Sequence, residues 1–177
     1  MRIRDSRVQA FLDELAGPSP APGGGSAAAL AGAMGAALIC MVCHLTIGKS
    51  RFAGAEDELR AVLAEAEARR RRLTNLADAD THAFNQVMAA YRLPQETDDQ
   101  QANRQAAIQT ALRQATQIPL ETAAACAAVL RLAGRVIAKI NPNALSDAGV
   151  AALLADAGLR GAQLNVAVNL AGIQDTG

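Results

Sequence analysis

Two aspartates, Asp78 and Asp80, stand in the run RRRRLTNLADADTHAFNQVM from Arg69 to Met88. On an α-helix advancing about 100° per residue, with Leu73 at zero, Asp80 lies within about 20° of Leu73. It shares that stripe with Leu76, Ala77, Phe84 and Val87. Asp78 lies about 140° away, with Asn75, His82 and Asn85, on a strip that is polar but mostly uncharged. One carboxylate is thus expected among core residues and the other among hydrogen-bonding side chains. Different surroundings push two carboxyl pKa values apart, which suits general acid and base work. The competing reading is a buried hydrogen bond for Asp80 and solvent or an arginine for Asp78. The residues alone leave both open.

A second candidate is the stretch PGGGSAAALAGAMGAALICMVCH, from Pro22 to His44. Gly23, Gly24 and Gly25 precede an apolar helical pattern, with Ser26 as its expected N-cap. The free N–H groups of a first helical turn, at the positive end of the dipole, suit an anion. Glycine in a tight turn is the structural alternative, and both stand. The stretch is no Walker loop, because Lys does not follow at the required spacing and no strand precedes it.

The same stretch ends in Cys40-Met41-Val42-Cys43-His44, the spelling of a haem attachment site. Covalent haem needs accessible thiols, whereas these lie in an apolar helical run. The two cysteines read as small core residues, and His44 as a helix-end histidine. Zinc would need a second Cys/His pair nearby. The run from Ala27 to Val42 is apolar on every side and nearly long enough to span a bilayer. Its Ala and Gly contribute little transfer energy, and aromatic belts are missing. A central core helix, with a hint of a subunit interface, is the preferred reading.

These residues need elements to position them. The 177 residues carry 17 Lys+Arg and 17 Asp+Glu, so net charge is +0. That balance argues against a nucleic-acid partner. Hydrophobic residues make up 51% but aromatics only 2%, the apolar mass being chiefly Ala. This predicts an all-α, up-and-down-like bundle of about five to six helices in one domain over 1–177. An odd number of cysteines, Cys40, Cys43 and Cys126, suggests reduced thiols and a cytoplasmic setting, with no membrane association. Expected helices run from about Asp5 to Ala16, Ser26 to Ile47, Ala55 to Tyr91 and Thr97 to Pro119. Pro119 either ends the fourth or kinks it into a segment reaching about Ile140. Asn141 to Asn143 is a turn, and Ser146 is the expected cap of a last helix from Asp147 to Ile173. Asn165 and Asn169 share a face of that helix, and buried amides must find partners.

Four stretches carry a resemblance: PAPGGGSAAALAGAMGAAL, LTIGKSRF, DADTHAFNQVMAAYRLP and SDAGVAALLADAGLRGAQLNVAVNL. In this order, over nearly the whole chain, the sequence resembles the cyclodeaminase/cyclohydrolase family, which includes the cyclodeaminase domain of formiminotransferase-cyclodeaminase. One departure is Ile140, where the family usually has glycine before the asparagine turn. The resemblance implies a helical homodimer, with a tetrahydrofolate derivative as substrate at a site near the subunit interface. It also implies that Asp78, the first acid of the pair, is the catalytic carboxylate and Asp80 its companion. The implied reaction is ring closure with loss of ammonia, or hydrolysis of a methenyl group, with no metal or redox cofactor. Candidate substrate-binding residues are then Gly23, Gly24, Gly25, Ser26, Lys49, Arg51, Asp147, Asn165 and Asn169. Lys49, Arg51 and the free N–H groups after Gly25 are the candidates for the folate glutamates. A helical dimer that binds a folate-like or other anionic ligand with little catalysis is the alternative.

Overall fold

Proline, glycine and capping residues divide the chain into five α-helices in a computed structural model, which describes Ile3 and residues 7–174. Helix α1 covers Val8–Leu15, α2 Gly24–His44, α3 Glu56–Tyr91, α4 Asp98–Val136 and α5 Leu145–Ala171. Short 3₁₀ turns at Ser50–Ala55 and Pro142–Ala144 lead into α3 and α5. The described residues contain no strand. Asp5 and Ser6, the expected start of the first helix, lie outside the described residues.

The sequence places most boundaries within a few residues, and three expectations need correction. Gly23, not Ser26, is the N-cap of α2. Ser26 sits inside the first turn because its hydroxyl is engaged by α3. Ser146 does not cap α5; the helix starts at Leu145, straight from the preceding 3₁₀ turn. Helix α2 stops at His44, short of Ile47, and Gly48 turns the chain with φ of 81°. At Pro119 the fourth helix continues, so α4 is one rod of 39 residues. Thr97 caps it, accepting from the Gln100 N–H in a capping box.

Helices α2, α3, α4 and α5 occupy the corners of a square, each antiparallel to the next. Helix α2 also meets α4 across the diagonal. That approach uses small residues. A Cβ on Gly32 would lie 2.4 Å from Cys126 Sγ of α4; α5 comes as close to α2, since one on Gly158 would lie 2.7 Å from the Ala28 carbonyl oxygen. The shared core includes Ile39, Val42, Leu59, Leu73, Leu76, Val129 and Val136. Burial raises the thiols of Cys43 and Cys126 to about 11. Cys40, desolvated and hydrogen-bonded to Glu67, is raised to about 12. Buried, protonated thiols of this kind are packing residues.

Helix α2 is long and apolar enough to cross a bilayer, yet 61% of its most apolar window is buried inside the bundle. Its outer stripe, including Met34, Ala37, Met41 and Leu45, stays exposed. Val150, Leu153, Leu164 and Val168 of α5 are exposed as well.

Length differences create the feature that matters. At 1.5 Å per residue, α2 spans about 31 Å, whereas α3 and α4 span about 54 and 58 Å. Helix α2 therefore fills its corner only as far as Gly24. Beyond that point α3, α4 and α5 continue around a smaller core of Ala83, Val87, Ala90, Ile108, Leu112 and Ala115.

Candidate functional site

A crevice of about 260 Å³ opens where α2 begins. The Pro20–Gly25 segment and the first turn of α2 close one end. Asp80, Ala83, Phe84 and Val87 of α3, Ala115 of α4, and Asn165, Val168 and Asn169 of α5 form the walls. Two features of the sequence, the glycine run and one of the paired acids, thus meet in one place.

Asp80 rests directly on Gly25. A Cβ there would lie 2.1 Å from Asp80 Oδ1 and 2.5 Å from its Cγ. Only glycine lets the carboxylate approach the helix this closely. Ser26 Oγ lies 2.9 Å from Asp80 Oδ2, 3.0 Å from the Ala77 carbonyl and 3.2 Å from Thr81 Oγ1. A hydroxyl has one proton and accepts others. It donates to Asp80 when the acid is ionised. It turns to the Ala77 carbonyl when Asp80 is protonated, and its oxygen then accepts from the acid. Both protonation states are accommodated without moving the backbone.

Burial raises the pKa of Asp80, and the hydroxyl and backbone N–H of Ser26 oppose the rise. A desolvated carboxylate of raised proton affinity, beside a space that admits a ligand, suits an acid–base group. Gly24, Gly25 and Ser26 are the first turn of α2, whose N–H groups have no acceptor within the helix. The positive end of the α2 dipole faces the crevice.

Asp78 occupies a neighbouring hollow of about 460 Å³, lined also by Glu14, Ala21, Pro22, Thr81, His82 and Asn85. It is half-buried, and its Oδ1 accepts the Ile3 N–H at 2.6 Å. The strap at Ala21–Pro22 borders this hollow, and its Ala21 borders the crevice as well. The two acids thus face separate cavities, as expected of groups more than a quarter turn apart on one helix.

The asparagines have defined partners. Asn165 Nδ2 donates to the Gly161 carbonyl at 2.9 Å, beside Gly24. Asn169 Nδ2 donates to the Ala115 carbonyl at 3.3 Å. That carbonyl is four residues before Pro119, which has no N–H to offer it.

Lys49, Arg51 and Asp147 do not join this group within one chain. Lys49 and Arg51 lie exposed beyond the C-terminal end of α2, about 30 Å of helix away. Asp147 is in the first turn of α5, at that same far end. There the Asn141 N–H donates to Thr46 Oγ1 at 3.1 Å, joining the start of α5 to the end of α2. Phe84 and Ala115 are among the wall residues not selected as site residues from the sequence. Phe84 lies one turn past Asp80 on the same stripe, a spacing that could have found it. Ala115 carries no signal of its own except Pro119 four residues later.

The chain resembles known proteins throughout. Residues 7–177 match the family model described as formiminotransferase-cyclodeaminase. Methenyltetrahydrofolate cyclohydrolase of Methylorubrum extorquens is 52% identical over 168 residues, 95% of this chain and 81% of that protein. Formimidoyltransferase-cyclodeaminase of Rattus norvegicus is 36% identical over 98% of this chain, which spans only 32% of the rat protein. The crystal structure of formiminotetrahydrofolate cyclodeaminase from Thermotoga maritima superposes with a TM-score of 0.88 at 29% identity. That match covers 98% of this chain and 82% of the other.

Proposed function

This chain belongs to the formiminotransferase-cyclodeaminase family, and on that premise we propose that it hydrolyses a methenyltetrahydrofolate, with Asp80 as the group that moves protons. The observation that carries the reading is the Asp80 carboxylate, seated on Gly25 at the head of α2 inside a crevice walled by Phe84 and two asparagines. Identity of 52% to a cyclohydrolase over nearly the full chain favours the hydrolytic direction. Likeness to the Thermotoga maritima cyclodeaminase keeps ring closure with loss of ammonia as the second reading.

The crevice has room for the bicyclic head of a folate, with the remainder leaving through the open side. Phe84 offers an aromatic surface to that flat ring. Ionised Asp80 takes a proton from water as the water oxygen bonds to the cationic methenyl carbon, whose charge the carboxylate also offsets. In the resulting carbinol the carbon–N5 bond breaks. Asp80 returns its proton to N5, the hydroxyl proton leaves to solvent, and the formyl C=O forms on N10. The N–H groups of Gly24 and Gly25 hold the oxygen as it becomes a carbonyl. The methenyl carbon is electrophilic already, so the step needs neither a metal nor a redox cofactor. Asp78, facing the adjacent hollow, holds Ile3 through its N–H.

The protein works as a homodimer in the cytoplasm, without membrane or nucleic-acid partners. The apolar stripe of α2 and α5 supports the dimer, because large exposed apolar patches mark association surfaces. Val168 belongs to this stripe and to the crevice wall alike, so a second copy would cover the open side. A two-fold axis perpendicular to α2 would set the two α2 helices antiparallel. It brings Lys49 and Arg51 of the second copy toward the crevice, where they meet the substrate's glutamate carboxylates.

The test is to incubate the chain with 5,10-methenyltetrahydrofolate and follow its near-ultraviolet absorbance. Absorbance is expected to fall catalytically. Asp80→Asn should slow the loss about a thousandfold, and Asp78→Asn far less. Full turnover by the Asp80 variant refutes the assignment. Binding without turnover by the unaltered chain would make it a non-catalytic folate binder.

A further inference from the structure

Pro119 lies inside α4 and is buried. A proline within a helix removes the N–H that would bond the carbonyl four residues earlier, here that of Ala115. Buried carbonyls left in this way need another donor. The donor present is Asn169 Nδ2 from α5, at 3.3 Å, a long bond by ordinary standards. Both residues line the crevice. The crevice thus carries, away from Asp80, an acceptor and an amide joined by a bond weak enough to exchange.

Position argues that this pair meets the ligand. Asn165 adjoins Gly24 at the Asp80 end. Asn169 is one helical turn further on, about 6 Å along α5. That step is comparable to the distance across a fused two-ring heterocycle. Between the two ends the walls are Ala83, Phe84, Val87 and Val168, which suit flat ring faces. Neither Lys nor Arg is among the described residues lining the crevice, so its far end suits a neutral polar edge rather than a carboxylate.

We infer that the Ala115 carbonyl and the Asn169 amide recognise the amino–oxo edge of the pterin ring. This rests on the folate reading above and adds the orientation of the substrate within the crevice. The 2-amino group donates to the Ala115 carbonyl, the acceptor that Pro119 frees. The Asn169 amide serves the adjoining ring N–H and oxo group. The ring then points its N5 side at Asp80, with the benzoylglutamate directed out through the open side. Pro119 is a positioning residue: it acts on substrate through the carbonyl it leaves without a helical N–H partner.

The experiment uses the full chain and two probes, 5,10-methenyltetrahydrofolate and its 2-desamino counterpart. The unaltered chain should favour the amino-bearing compound about tenfold in KM, the worth of one hydrogen bond to a group otherwise left unpaired. Pro119→Ala restores an N–H to the helix and is compatible with the fold. It should raise KM for the amino compound about tenfold, leave KM for the desamino compound and both kcat values within about twofold, and so abolish the preference. Asn169→Ala should raise KM for both compounds alike. A preference unchanged in Pro119→Ala, or KM raised equally for both compounds by that variant, overturns the inference and leaves the folate reading intact. Turnover of neither compound by the unaltered chain overturns the folate reading, and this inference with it.

Discussion

Gly25→Ala is the sharpest probe of the site, because a single methyl group is added where the Asp80 carboxylate now rests. The new Cβ would lie 2.1 Å from Oδ1, 2.5 Å from Cγ and 2.7 Å from Oδ2. Ordinary contact begins near 3.4 Å, so the carboxylate must retreat by about 1.3 Å. The backbone of α2 need not move, since all three obstructing atoms end a side chain that can rotate. The fold should therefore survive with little change in melting temperature. The 2.9 Å contact with Ser26 Oγ should be lost, and with it the alignment of the proton acceptor. A displacement of about 1 Å of a reacting group costs on the order of a hundredfold in rate. The expected result is a fall of about that size in kcat for methenyltetrahydrofolate, with a near-native circular dichroism melt. Gly24→Ala is the informative neighbour. Its Cβ would meet only Asn165 Nδ2, at an ordinary 3.7 Å, and should leave Asp80 in place. Gly25→Ala keeping kcat within about threefold of the unaltered chain, against the hundredfold expected, would show that proton transfer does not depend on this carboxylate position.

Other outcomes follow from the same geometry. Burial raises the Asp80 pKa above its ordinary 3.8, so the folded chain holds that proton more tightly than the unfolded chain. The associated stability is complete below the unfolded value and is lost as pH rises through the folded one. Asp80→Asn should thus melt above the unaltered chain near neutral pH. The gap should close as pH falls toward 3.8, and melting curves across pH read it directly. Gly134 is exposed inside α4, and a Cβ there meets nothing within 4 Å. Gly134→Ala should add about 1 kcal/mol and raise Tm by about 2–4 °C, measured by calorimetry. If the second copy completes each site, Asp80→Asn and Lys49→Glu/Arg51→Glu chains are each inactive as pure dimers. Refolded together in equal amounts, they should recover about a quarter of wild-type turnover, because half the dimers are mixed and hold one intact site. No recovery would mean that each site is built within one chain.

What the sequence made legible was governed by local rules. Ala-rich composition and the 3.6-residue period give the five helices. They also put Asp80 on the stripe with Leu73, Leu76 and Ala77, which are buried in the core. Pro94, Gly48 and Asn141 end or turn elements near where turn chemistry places them. What stayed illegible depends on partners far along the chain. Ser26 looks like a cap because a cap is judged from its own next few residues. Its hydroxyl is claimed instead from about fifty positions away, by Asp80 and the Ala77 carbonyl. Pro119 looks like a possible break because its loss of an N–H is local. The Asn169 amide that attends the stranded carbonyl comes from another helix. Lys49 and Arg51 attract attention by charge, and only the length of α2 shows that they stand at the wrong end of their own chain.

The choice between the two acids turns on the same distinction. Helical spacing separates Asp78 from Asp80 and assigns one to a polar strip and one to the core side. It cannot tell which side borders the crevice. That depends on where α2 stops relative to α3, α4 and α5. Because α2 starts late, at Gly24, the core-side acid meets an open crevice instead of packed methyl groups. The carboxylate is then desolvated enough to hold a proton and open enough to deliver it. A longer α2, extended by even one turn past Gly24, would fill the crevice and turn Asp80 into an ordinary buried acid. The site is therefore a consequence of unequal helix lengths, with the prolines and glycines of residues 17–25 setting where the short helix begins.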